Sequence, residues 1–240
     1  GTDSFVWSML LVVLVPGLLA LGFGWLAFRS RIKGVYFSIM TQALTFAAML
    51  LFFRNETGFG GNNGFTDFKR ILGTPIATQN MRMTLFVLTG ITLLGFFLLA
   101  RWLVRSKFGR VLQAVRDAES RVMFSGYSPL PYKLTIWTIS AMMCGVAGAL
   151  YAYTYIGTVE PEGFNLDLSF KILFMIIIGG VGSIMGSFLG AAFIVLLPIF
   201  LDVLIQDFLT GLLPPSISSN LQLMVFGGLI IFFLIVFRET

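Results

Sequence analysis

The segment GRVLQAVRDAESRVMFSGYSPLPYKL, residues 109–134, is rich in charge, yet it belongs to a 240-residue chain that is 57% hydrophobic and only 11% charged. Val111, Val115, Ala118 and Val122 recur at helical spacing and share one face, whereas Arg110, Gln113, Arg116, Asp117, Ser120 and Arg121 fall elsewhere. The spacing predicts an amphipathic helix over 109–126. Asp117 and Arg121, four apart with the acid first, would add about 0.3 kcal/mol to it. Gly126 is expected to end the helix, and SPLP, residues 128–131, to turn the chain, because proline cannot continue a helix. Such a helix either rests in the headgroups with its basic side chains against anionic lipid, or docks on a cytoplasmic protein and passes movement to its neighbours.

What surrounds this segment is suited to a bilayer. A mean hydropathy of +0.92 with 26 Phe and 26 Gly places the chain among integral membrane proteins. Crossing the hydrocarbon takes about 20 apolar residues as a helix. Seven spans are marked on that basis, at residues 4–28, 34–53, 84–104, 135–157, 170–186, 187–204 and 221–237. The fold expected is an all-α polytopic bundle forming a single domain over 1–240, with residues 105–134 as its cytoplasmic loop. The fifth and sixth spans are short and glycine-interrupted, so one or both are expected to be half-helices. The opening GTDSFVWSML has no initiator Met and no basic leader, and is read as an internal start, the chain being N-terminally truncated.

Composition also removes chemistry. With no His and one Cys, Cys144, inside an apolar run, imidazole acid–base catalysis, histidine metal sites and an intrachain disulfide are excluded. No nucleophile–base pair is evident, and neither an enzyme activity nor a bound metal or cofactor is expected. The net charge of +5 is read as a topology signal rather than a nucleic-acid footprint, since the basic residues flank apolar spans.

Lys and Arg accumulate on cytoplasmic loops. Arg29, Arg31 and Lys33 place the end of the first span inside. Arg101, Arg105, Lys107, Arg110, Arg116, Arg121 and Lys133 place the loop after the third span inside as well. Glu160, Glu162 and Asp167, then Asp202 and Asp207, fall outside in the same scheme, and Arg238 returns inside. Residues 54–83 oppose the rule with Arg54, Lys69, Arg70 and Arg82, but the seven basic residues of the neighbouring loop outweigh these four.

Two intramembrane patterns stand out. Ser38, Thr41, Gln42 and Thr45 share a face of the second span. They either hydrogen-bond to other helices or line a path offering neutral donors and acceptors to a small amide or zwitterion. Gly182, Gly186 and Gly190 form a GxxxGxxxG series suited to close helix packing. The preceding Gly179 and Gly180 are expected to break the helix over 179–186, which would expose backbone groups beside a path. Outside the membrane, GFGGNNGF at 58–65 reads as a turn-rich loop.

The order AVRDAES, then Gly126, then Tyr132-Lys133-Leu134, then SAMMCGVAGAL, strongly resembles the cytoplasmic loop and following span of permease subunits in ATP-binding-cassette importers of the branched-chain amino acid and urea family. The resemblance covers nearly the whole chain. GVYFSIMTQALTFAAMLLFFRNE with GGNNGFTDF looks like the urea type, whereas GTVEPEGFNLDLSFKILFMIIIGGVGSIMGSFLGAAFIVLLP looks closer to the branched-chain amino acid type. It implies an inner-membrane, multi-pass subunit that works with a second permease, two ATPase subunits that use ATP, and a solute-binding protein. Residues 109–126 would be the coupling helix, with Val111, Val115, Arg116, Asp117, Glu119 and Gly126 contributing to ATPase coupling. Ser38, Thr41, Gln42, Thr45, Gly179, Gly180 and Gly182 would line the path, and Tyr36, Asn62 and Asn63 are further contact candidates. A self-sufficient carrier or channel is the alternative; it would call for ionisable residues near span centres, which the second and fourth spans lack.

Overall fold

In a computed structural model, the residues described are 5–30, 32, 34–54, 56, 70–71, 74–76, 78–156, 166–180, 182–209 and 227–228. They form seven helices and one short hairpin: α1 (Phe5–Arg29), α2 (Val35–Phe53), β1 (Arg70–Ile71), β2 (Thr74–Pro75), α3 (Gln79–Arg105), α4 (Lys107–Phe124), α5 (Pro129–Tyr151), α6 (Leu166–Gly179) and α7 (Ile184–Leu209). The two strands pair antiparallel over two residues each. The protein is thus all-α and polytopic, as its composition implies. It divides into two compact units, 1–164 and 165–240.

Within the first unit, α1, α2, α3 and α5 are each long and apolar enough to cross a membrane. They match the first four expected spans. The fourth begins earlier than expected: Pro129 and Pro131 lie in the first turn of α5 rather than in a turn before it. The first turn of a helix has amide groups without intrahelical acceptors, so a residue lacking N–H costs nothing there and its fixed φ suits the start. At its other end α5 continues into a π-helical turn, Ala152–Ile156.

Helices in lipid are not driven together by hydrophobic burial, so close packing has to come from small side chains. The α1–α5 contact is made this way. Gly17, Ala20, Gly24 and Ala27 are the buried residues of α1 and recur along one stripe. A Cβ on Gly24 would lie 2.8 Å from Trp137 Cδ1, and one on Gly17 within 3.0 Å of Met142 Cγ. On α5, a Cβ at Gly145 would collide with the Val12 carbonyl oxygen and meet Pro16 Cγ at 2.8 Å. Pro16 has no N–H to donate to the Val12 carbonyl, so this point of α1 offers bare backbone to its neighbour. The pairing of 24 with 137, 17 with 142 and 12 with 145 makes the helices antiparallel, which agrees with the orientations read from loop charge.

Where α1 ends and α2 begins, Phe37 is enclosed by Phe23, Phe28 and Trp137 at ring-centroid distances of 6.0, 5.4 and 5.2 Å. The inner ends of α1, α2 and α5 therefore meet in one aromatic cluster. Arg29 lies over the Trp25 ring at 4.8 Å, a cation–π pair at the end assigned to the cytoplasmic surface. Elsewhere α2 is lightly packed, with no buried residue.

In the second unit α6 and α7 pack as a hairpin. The expected interruption falls at 180–183, where Gly180 and Gly182 have φ of 92° and 102°. The two flanking spans meet there rather than at 186/187. Ser183 caps α7, its hydroxyl accepting from the Gly186 N–H at 3.0 Å. The expected GxxxGxxxG series splits by role: Gly182 belongs to the turn, while Gly186 and Gly190 press against the α6 backbone at Gly179 and Met175, where a Cβ would collide. With 14 residues, α6 is about 21 Å long and too short to cross the roughly 30 Å hydrocarbon core by itself. The seventh expected span, 221–237, lies outside the described residues except for 227–228, which are helical.

Enlarging the α1–α5 seam tests it. Gly145→Val is expected to cost about 1–3 kcal/mol through overpacking, read as a lower unfolding temperature in detergent. Gly148→Val, which meets nothing within 4 Å, should leave that temperature nearly unchanged.

Candidate functional site: the amphipathic helix and its mounts

The amphipathic helix α4 starts at a tight elbow. Ser106, with φ −71° and ψ 167°, separates α3 from α4. Its hydroxyl donates to the Leu103 carbonyl at 2.6 Å and accepts from the Gly109 N–H at 3.1 Å. One side chain thereby satisfies an end carbonyl of one helix and a starting amide of the next. Gly109 is buried, and a Cβ there would run into the Leu103 and Val104 carbonyl oxygens. The turn can be this sharp only with glycine at that position.

The helix ends on a Schellman motif. Gly126 has φ 84°; its N–H donates to the Met123 carbonyl at 3.0 Å, and the Tyr127 N–H reaches the Val122 carbonyl at 3.2 Å. Gly126 thus terminates α4 as its sequence implies. Between elbow and cap, α4 is not one straight rod, because Ala118 has φ −155° and ψ 74°, outside the helical region. The break explains why the anticipated Asp117–Arg121 pair is replaced: across a non-helical residue the four-residue spacing no longer superposes two side chains. Asp117 instead accepts from Arg116 Nε at 2.9 Å, with both side chains exposed.

The residues expected to act in coupling fall into two groups. Val115 is buried at 5% exposure and Val111 is half-buried, so both pack within the chain. Glu119 also turns inward, its Oε1 accepting from Lys133 Nζ on α5 at 2.6 Å, with side-chain exposures of 22% and 28%. Arg116 and Asp117 face water at 67% and 63%. Beside them the structure exposes two residues that the sequence reading passed over, Met123 at 47% and Phe124 at 92%. Their signal was present: both follow Val122 on a helix whose apolar face was already fully assigned. Phe108 stacks on Tyr132 at 5.4 Å, and Tyr127 meets the same ring at 6.4 Å, which fastens both ends of α4 to α5.

The intramembrane residues are arranged differently from the expectation of interhelical bonding. Thr41 donates to the Ser38 carbonyl at 2.8 Å and Thr45 to the Thr41 carbonyl at 2.9 Å, so these hydroxyls are satisfied within α2. Thr84, Thr89, Thr92, Thr138 and Thr154 likewise donate to carbonyls four residues back. Ser38 and Gln42 are exposed, and Tyr36 is exposed at the inner end of α2. Asn62 and Asn63 lie outside the described residues.

Four helices long and apolar enough to cross a membrane, with an amphipathic helix joined to two of them, define a polytopic membrane protein. A family profile described as "Branched-chain amino acid transport system / permease component" matches residues 1–234, and the chain belongs to this family of transport permease subunits, membrane proteins of the inner membrane. It is 28% identical over 188 residues to the high-affinity branched-chain amino acid transport system permease protein LivM of Salmonella typhimurium, covering 69% of this chain and 44% of that one. It is 25% identical over 205 residues to the probable LivM of Methanocaldococcus jannaschii, covering 85% and 59% respectively. The ribose import permease protein RbsC of Bacillus subtilis is 26% identical over 190 residues, covering 76% of this chain and 52% of its own. The chain therefore spans about half the length of the curated relatives it matches. No solved structure matches it.

The cap is directly testable. Gly126→Ala forces a Cβ into the left-handed region at about 1–2 kcal/mol, so the amides of residue 126 and Tyr127 should exchange faster with solvent. The first turn of α4 should keep its protection, since Ser106 holds it independently.

Proposed function

We propose that the chain is the membrane-spanning subunit of an ATP-binding-cassette importer, and that α4 is the helix on which an ATPase subunit docks. The observation that carries this reading is an exposed aromatic side chain, Phe124, on the same amphipathic helix as exposed Met123, Arg116 and Asp117, a helix fixed at both ends to the spans. A helix serving only to lie on lipid would be expected to turn its apolar face outward; here Val115 and Val122 are buried against the protein. A second permease subunit, two ATPases and a solute-binding protein complete the assembly, and ATP is consumed by the ATPases alone. Nucleotide binding draws the two coupling helices together and shifts the population between inward- and outward-open forms.

The cargo is a small polar solute. A branched-chain amino acid is favoured by the similarity to the LivM branched-chain amino acid permeases. Urea or a short amide is the second reading, supported by the GVYFSIMTQALTF and GGNNGFTDF segments of the N-terminal half. Path-lining roles are assigned to Ser38, Thr41, Gln42 and Thr45 in the first unit and, separately, to Gly179, Gly180 and Gly182 at the α6–α7 break in the second, where backbone groups at membrane depth need protein or water beside them. Neutral polar groups suit a zwitterion or an amide better than an ion.

Arg116→Glu and Phe124→Ala are expected to lower copurification of the ATPase about tenfold or more, as loss of a central interface anchor does, with membrane insertion intact. Unchanged retention together with unchanged transport would remove α4 from this role. Titrating the cognate solute-binding protein with leucine and with urea decides the cargo.

A further inference from the structure

We propose that Glu119 is a positioning residue: through its ion pair with Lys133 it acts as a strut that delivers movement of α4 to α5, and it is not itself a docking contact. The proposal rests on the importer reading above and assigns a task within it. Ala118 divides α4 into two halves, and each half has its own mount. The first is joined to α3 through Ser106 and Gly109. The second begins at Glu119, the residue directly after the break, and reaches α5 through Lys133.

The geometry separates this pair from its neighbour. Arg116–Asp117 joins adjacent residues at the exposed surface, where an ion pair stabilises little. Glu119–Lys133 joins residues 14 apart on different helices, is mostly shielded from water, and at 2.6 Å is a short charge-assisted bond. Glu119 is only 22% exposed and is bonded to α5, whereas Phe124 is 92% exposed, so the carboxylate is turned toward the protein rather than toward the surface that Phe124 presents. Lys133 lies in the first turns of α5, four residues before Trp137, which packs over Gly24 of α1. A push on the second half of α4 therefore reaches the α1–α5 seam through this short bond, beside the looser Tyr127–Tyr132 ring contact. Without the bond, the break at Ala118 lets this half yield further for the same push while the ATPase stays attached.

The test uses the complete transporter in liposomes with its ATPases and solute-binding protein, comparing Glu119→Gln, Lys133→Met and the swapped double variant Glu119→Lys/Lys133→Glu. Both single variants should keep the ATPase and its hydrolysis rate yet move about tenfold less solute per ATP, the scale typical of coupling between sites. The swap should restore transport. Loss of the ATPase from Glu119→Gln but not from Lys133→Met would make Glu119 a docking residue and overturn the strut, as would unchanged solute per ATP in both single variants. Should the single variants fail to insert, the swap decides: insertion with transport supports the strut, and insertion without transport overturns it. A wild-type chain that retains no ATPase would instead defeat the importer reading itself.

Discussion

Contact between backbones at α1 and α5 is the constraint on which the first unit depends. In lipid an apolar side chain gains little by leaving one apolar neighbour for another, so two helices hold together where their surfaces fit closely. Gly17, Ala20, Gly24 and Ala27 supply a shallow groove on α1, and Trp137, Met142 and Gly145 fill it from α5. The aromatic cluster around Phe37 then fixes the inner end of α2 to the same pair. Everything below the membrane is mounted on this base, because α4 is fastened chiefly to the first turns of α5.

The hairpin of the second unit obeys the same rule in a more extreme form. Gly179, Gly186 and Gly190 bring α6 and α7 together so closely that no Cβ fits. The turn between them uses two left-handed glycines and one serine cap, giving both helix ends partners without a long loop. Threonine hydroxyls in the spans follow a parallel economy by bonding to their own helix carbonyls, which satisfies those hydroxyls whether the span faces lipid or protein.

Much of this was legible in residue order. Hydropathy located four spans, the charge pattern implied that the first and fourth run antiparallel, Gly126 announced a helix end and the Gly179-Gly180 pair announced a break. Three features escaped for physical reasons. SPLP was read as a turn, since proline's inability to continue a helix was applied where its tolerance at a first turn governs. The α1 stripe hid among larger apolar residues, because a span that is hydrophobic all round gives no periodic signal of which face is buried. Glu119 looked like part of a charged surface, because local spacing gives no sign of a partner that lies 14 residues away on another helix. The roles assigned to individual coupling and path residues depend on partner molecules, whose surfaces leave no trace in local spacing.

Phe37 anchors α2 near one end, while the remainder of that helix buries no residue within the chain. A rod held by its own chain at one end only leaves the direction of the other end to its surroundings, so the tilt of α2 beyond Phe37 is set by whatever lipid or protein packs against its uncovered length.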